Sequence, residues 1–118
     1  MEGVSNLMLY VLEDGTIRLT RGDTARLTVN ISNDLTQNSY EIQDGDMLTL
    51  TVKKTIKDTT ACLQKTANSS NMLYIEPEDT SELEFRKYIY DVQLTTAAGD
   101  VYTVIEPSTF EIMPEVTC

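Results

Sequence analysis

Hydrophobic and polar residues alternate with a period of two along much of the chain. Ala25, Leu27, Val29 and Ile31 alternate with Thr24, Arg26, Thr28 and Asn30. Leu48, Leu50 and Val52 alternate with Thr49, Thr51 and Lys53. Tyr88, Tyr90, Val92 and Leu94 alternate with Ile89, Asp91, Gln93 and Thr95. Successive side chains on a strand point to opposite faces, so each segment predicts a strand with one dry and one wet face. Ile89 breaks the wet set and predicts contact with a neighbouring layer or loop.

Weaker strands fill the gaps. Segments 7–12 and 16–20 flank Asp14-Gly15, a hairpin signal, and segments 60–66 and 71–76 flank an Asn-Ser-Ser-Asn turn. Segment 100–105 follows Ala98-Gly99-Asp100 and is expected to pair back onto 88–95. Segment 108–113 follows Pro107, which has no N–H for a ladder and predicts a break or an edge. Helical signal is confined to 77–85. Pro77, Glu78 and Asp79 suit a first turn, and Leu83 is its apolar anchor, with Phe85 nearby. So short a segment predicts one helical turn near 78–85 that bridges two sheets.

About eight short strands separated by turn signals describe a sandwich or a small barrel. The wet faces favour antiparallel pairing, and loop 32–46 and bridge 77–87 look like crossovers between sheets. The expectation is an all-β fold: one antiparallel two-sheet β-sandwich domain over residues 1–118.

Charge narrows the function. The chain carries 19 acidic and 9 basic residues and no histidine, for a formal net charge of -10. A nucleic-acid binder needs a basic face to displace counterions, and anionic membrane leaflets repel such a chain, so neither partner is expected. No apolar run is long enough to span a bilayer, and the N-terminus lacks the pattern of a signal peptide. Without histidine, serine–histidine and cysteine–histidine machinery is excluded. The expectation is a protein without catalysis or cofactor. Threonine is abundant, at 17 of 118 residues, and suits the wet faces of strands.

Several residues carry candidate chemistry. Glu41, Asp44 and Asp46 flank a glycine turn; such oxygen-rich loops can hold Ca²⁺, although the spacing is not that of an EF-hand. The same residues also make an ordinary turn, with Asp44 bonding its own backbone. Glu76, Glu78, Asp79, Glu82 and Glu84 are a solvated acidic face or, less economically, the carboxylates of a glycosidase. Arg21-Gly22-Asp23 matches a cell-adhesion tripeptide and equally an ordinary turn between strands. Tyr88 and Tyr90 open a late strand, where one hydroxyl can bond back to the crossover as a tyrosine corner, a structural role. Cys62 and Cys118 are two thiols in a reducing compartment or one disulfide.

Three stretches carry a family resemblance: RGDTARLTVNI at 21–31, DGDMLTLTVKK at 44–54, and YIYDVQLTTAAGDVYTVIEPSTFEIMPEVT at 88–117. Together they resemble the small immunoglobulin-like β-sandwich of tailed-phage and prophage structural proteins, and are similar to the N-terminal domain of the phage baseplate upper protein family. Gly22, Asp23 and Thr24 match the opening of that domain, and Tyr88, Tyr90, Asp91 and Val92 match its closing strand. Gly99, Phe110, Ile112, Val116 and Thr117 complete the pattern. Members of the family continue into a long receptor-proximal part beyond this length. The resemblance implies immunoglobulin-like topology, no catalytic residues, and a structural role in a phage tail or baseplate. It implies a virion component made in the bacterial cytoplasm, packed against copies of itself or other phage structural proteins. Arg18, Arg21, Arg26, Lys53, Lys54, Arg86 and Lys87 are the candidate interface cations for so acidic a chain. The alternative is a carbohydrate- or cell-surface-binding module, for which Tyr10 and Tyr40 are the spare aromatics.

Overall fold

The computed structural model describes residues 9–11, 15–32 and 38–114. The chain forms β1 (Leu9–Val11), β2 (Ile17–Thr20), β3 (Ala25–Thr28), β4 (Ile31–Ser32), β5 (Ser39–Tyr40), β6 (Met47–Lys53), β7 (Leu63–Asn68), β8 (Met72–Ile75), α1 (Pro77–Thr80), β9 (Lys87–Thr95) and β10 (Val101–Met113). A curled sheet has the order β1-β2-β10-β9-β6-β7, and β3-β8 and β4-β5 form two-stranded ribbons. The fold is mostly β, with one short helical turn and a partly closed sheet.

The period of two explains the core. Register places Leu48, Leu50 and Val52 of β6 opposite Leu94, Val92 and Tyr90 of β9, so these two strands share one apolar face. Phe110 and Ile112 of β10 lie beside Ile17 and Leu19 of β2 on that same face. The β3–β8 ribbon supplies Ala25, Leu27, Leu73 and Ile75, cross-strand pairs that complete a single buried cluster. Tyr90 packs edge-on against Phe110 at 5.9 Å between ring centroids. Of the residues expected inward, Ile31 is half-buried and the others are buried. Ile89 lies on the outer face, in a groove shared with Ile56 and Ala61 of the β6–β7 loop.

Three expectations need correction. First, β2 and β10 pair in parallel, so the sheet is not wholly antiparallel. The turn at 21–24 carries β2 across to the β3–β8 ribbon, which leaves β2 beside the end of β10 rather than beside β3. Second, Pro107 does not split 100–105 from 108–113. β10 runs continuously past it by shifting register twice, between Thr103 and Ile105 and between Ile105 and Ser108. The edge alternative agrees with the register: β2 meets β10 only from Phe110 onward, so on that side Pro107 lies on an edge and removes no described ladder bond. Third, the helix stops at Thr80 rather than reaching 85. Residues after it are held by other partners: the Leu83 N–H reaches the Thr80 carbonyl at 3.0 Å, and the Glu84 N–H reaches the Tyr88 hydroxyl at 2.9 Å.

Candidate functional site

Strand β6 runs between two differently charged ends of the sheet. Register puts Asn68 and Thr95 beside Met47, and Leu63 and Ile89 at the Val52–Lys53 end. The Met47 end therefore gathers residues 40–46, 69–71 and 96–101, and the Lys53 end gathers 54–58, 86–87 and 111.

At the Met47 end, Asp46 joins three loops. The residue is 2 % exposed, and its carboxylate accepts the Tyr40 hydroxyl at 2.5 Å, the Gln43 N–H at 2.9 Å and the Ala97 N–H at 3.1 Å. Its backbone carbonyl accepts the Ser69 N–H at 2.7 Å. The Tyr40 hydroxyl, then the Gln43 N–H, hold the Asp46 carboxyl below the usual aspartate range, outweighing the opposing effect of burial. The same bond to Asp46 raises the Tyr40 hydroxyl above the ordinary tyrosine value. Gly45 sits at φ +92, its N–H donating to Ser69 Oγ at 3.0 Å, while Ser69 Oγ donates to Asp44 Oδ1 at 3.3 Å.

This geometry locates the candidate calcium ligands. Asp46 is occupied by three donors, Asp44 by Ser69, and Glu41 is exposed. The side-chain-to-backbone bond of the turn is made by Asp46, not by Asp44. Among the described residues, no group of three or more Cys, Asp or Glu is placed to hold a metal ion.

Beside Asp46 lies an open groove of about 540 Å³, lined by Ile31, Tyr40, Leu94, Tyr102 and Val104 together with the polar Asn30, Ser32, Thr96 and Thr103. Val101 and Tyr102, at the β9–β10 hairpin, are 56 % and 55 % exposed. The Tyr10 side chain lies outside the described residues, as does Cys118; Cys62 is a free, half-buried thiol.

The Lys53 end collects cations. Lys54, Lys57, Arg86 and Lys87 are exposed, and Lys53 is half-buried against the outer groove. Lys54 pairs with Glu84 at 3.2 Å, and Arg86 reaches the Lys54 carbonyl at 3.5 Å. Arg18 pairs with Glu111 at 3.1 Å, and Glu111 lies opposite Lys87 across the ladder. Ile56, between Lys54 and Lys57, is 64 % exposed. The structure thus brings Lys53, Lys54, Arg86 and Lys87 together, with Arg18 near them. Arg21 and Arg26 are engaged elsewhere: Arg21 donates to the Leu83 carbonyl and stacks 4.1 Å over Phe85, and Arg26 lies 5.2 Å over Tyr74 on the β3–β8 ribbon.

Bridge 77–86 is braced from both sides. The Gly22 N–H donates to the buried Thr80 hydroxyl at 2.8 Å, which docks the Arg21-Gly22-Asp23 turn onto α1. Tyr88 accepts the Glu84 N–H at 2.9 Å and donates to the Glu84 carbonyl at 3.3 Å, a back-bond to the bridge. Tyr90 instead donates to the Gly15 carbonyl at 2.6 Å. Within the acidic cluster, Asp79 accepts the Glu76 N–H at 2.8 Å and pairs with Lys65 at 2.9 Å. Contact with Glu78 pushes the Glu76 carboxyl up.

Sequence reasoning passed over Ile56, Lys57, Lys65, Val101 and Tyr102. Signals for most of them exist. Ile56 is an apolar residue outside any alternating run, and Val101-Tyr102 is an adjacent apolar pair, of which a two-residue period can bury only one. The nine cations also cluster in sequence: none falls in 27–52, 66–85 or 88–114. No protein-family model matches the chain, and no curated protein matches it in sequence.

Proposed function

We propose that the chain is a non-enzymatic assembly domain of the phage or prophage tail kind, an immunoglobulin-like sandwich acting through protein–protein contacts. The strand arrangement supports the topology: β2 runs parallel to β10, β10-β9-β6 form the sheet centre, and the β3–β8 ribbon packs across them. The residues that carry the family resemblance fall in the opening turn at 22–24, the central strand β9, the Gly99 hairpin and the buried end of β10. Val116 and Thr117 lie outside the described residues. The observation that carries the function is the placement of exposed apolar side chains. Ile56, Val101 and Tyr102 sit on loop and hairpin tips at opposite ends of the sheet, where contact with another protein would cover them. With no histidine in the sequence, contact is a better reading than turnover.

The test is sedimentation of particles from an induced bacterial culture carrying the tagged chain in place of its own copy. The chain is expected in purified tail-like particles, at a fixed ratio to their other proteins. Its reproducible absence from intact particles overturns the reading. The carbohydrate-binding alternative draws on Tyr102 and Tyr40 beside the polar residues Asn30, Ser32 and Thr96 in one groove. A glycan-array signal lost in Tyr40→Ala would favour it.

A further inference from the structure

We infer that copies of this chain associate head to tail, with the β6–β7 loop of one copy seated in the groove at the Met47 end of the next. This rests on the assembly reading above and names the partner as a second copy.

The two surfaces match in chemistry. The loop presents Ile56, 64 % exposed, between Lys54 and Lys57. The groove presents Tyr102 and the half-buried Ile31 and Val104 beside Asn30, Ser32 and Thr96, and its end of the sheet carries Glu41, Asp44 and Asp100 with no lysine or arginine in 27–52, 66–71 or 94–104. Lys53, Lys57 and Lys87 form no ion pair among the described residues, so the loop end keeps positive charge to offer. An apolar tip flanked by cations thus meets a groove of mixed apolar and hydroxyl-bearing lining at the acidic end of the sheet.

Charge also sets the orientation. The whole chain carries -10, so copies repel in most orientations. At about 0.15 M salt the Debye length is about 8 Å, which damps that net repulsion and leaves short-range contacts intact. Loop to groove is an approach that brings the cation-rich end of one copy to the cation-free, acidic end of the next. Groove and loop lie at opposite ends of β6, so the contact is heterologous: each copy donates one loop and accepts another, and growth need not close. One loop tip buries less than a standard interface, so the free protein associates weakly, and anchoring on a scaffold strengthens it through effective concentration.

Two variants of the whole chain test this by sedimentation velocity at about 0.15 M salt, where short-range contacts outlast net repulsion. The loop variant carries Lys54→Ser, Ile56→Ser and Lys57→Ser; the groove variant carries Val101→Thr and Tyr102→Thr. These side chains are exposed, so both variants are expected to keep the wild-type circular dichroism and melting profile, which is checked first. Wild type is expected to grow beyond a dimer with rising concentration, and each variant alone to associate at least tenfold more weakly. A mixture of the two is expected to form a heterodimer that grows no further, since one intact loop meets one intact groove. A monomeric wild type at its solubility limit, variants that assemble like wild type, or a mixture that stays monomeric overturns the inference. A wild type that stops at a symmetric dimer also overturns it, as does glycan binding that needs Tyr102. Particle incorporation distinguishes the two levels. Normal incorporation of both variants leaves the assembly reading standing while the head-to-tail contact fails; absence of the wild type from particles with self-association intact does the reverse.

Discussion

The two ends of β6 are built on different principles. At the Met47 end, one buried carboxylate braces segments far apart in sequence, accepting from Tyr40, Gln43 and Ala97 while its own carbonyl holds Ser69. At the Lys53 end, the loop is closed by itself: the Thr55 N–H reaches Asp58 Oδ2 and the Asp58 N–H reaches the Thr55 carbonyl, each at 3.2 Å. A buried acceptor serving several loops makes their positions interdependent, because losing it leaves several donors unpaired at once. A local turn couples to little beyond itself. In the proposed contact the groove is therefore the preorganised side, and the loop is the adaptable one.

The sharpest way to break this contrast is Asp46→Ala. Tyr40, Gln43 and Ala97 all lose their acceptor, and the melting temperature is expected to fall further than for any single substitution within 54–58. The pH dependence carries a sign. The folded state holds the Asp46 carboxyl below its ordinary value of 3.8, so its contribution is present above that pH and lost as the pH falls through the folded value. Melting followed from pH 7 into the acid range should show wild type and variant converging below roughly pH 4, the ordinary aspartate range. A gap of constant size at all pH values would show that Asp46 acts by shape rather than by charge.

Gly45→Ala ranks next. Its backbone lies at φ +92, and an added Cβ would stand 2.8 Å from Ala97 Cβ. Strain of this kind costs about 1–3 kcal/mol. Ala97→Gly in the same chain should recover the steric part and leave about 1 kcal/mol for the left-handed backbone. Denaturant unfolding of the single and double variants measures both parts; purely additive effects would show that the two loops do not touch.

The contrast also marks what the sequence could reveal. Leu48, Leu50, Val52, Tyr90, Val92 and Leu94 were legible because burial on one sheet face imposes a two-residue period, whatever the neighbouring strands turn out to be. Pairing partners were not: the parallel β2–β10 contact depends on where the 21–24 turn sends the chain, and no local pattern records that. Asp46 shows the same limit within the site. Asp44 and Asp46 flank one glycine, but only the tertiary approach of Ala97 and Tyr40 selects the second as the acceptor. Lys65 lies opposite Leu50 on the edge strand β7, and its charge there is answered by Asp79 from a different layer. The cations of the Lys53 end were visible as residues, but their convergence required the register of β6 against β9.

At the Lys53 end the effects shrink. Asp58→Ala removes one side-chain bond from a turn that keeps its backbone bond, and is expected to cost about 0.5–1.5 kcal/mol by denaturant unfolding. A cost well above that range would mean that the loop is braced as tightly as the groove.

The smallest effect belongs to Lys54→Ala. Its partner is Glu84, at 3.2 Å, and the two side chains are 49 % and 67 % exposed. Water screens such a pair, and holding two long side chains in one geometry costs entropy, so exposed pairs contribute about 0–1 kcal/mol. Arg86 meets Lys54 through its backbone carbonyl, a contact the substitution leaves in place. The stability of the monomer should therefore change by less than about 0.5 kcal/mol, and raising salt from about 0.1 to 1 M should shrink even that, as the Debye length falls from about 10 to 3 Å. In the proposed head-to-tail contact association should behave differently, because the ammonium group is then lost where the loop of one copy would approach the acidic end of the next. Chemical unfolding and sedimentation on the same Lys54→Ala sample separate the two: a loss of monomer stability with unchanged association would place the work of Lys54 inside its own chain.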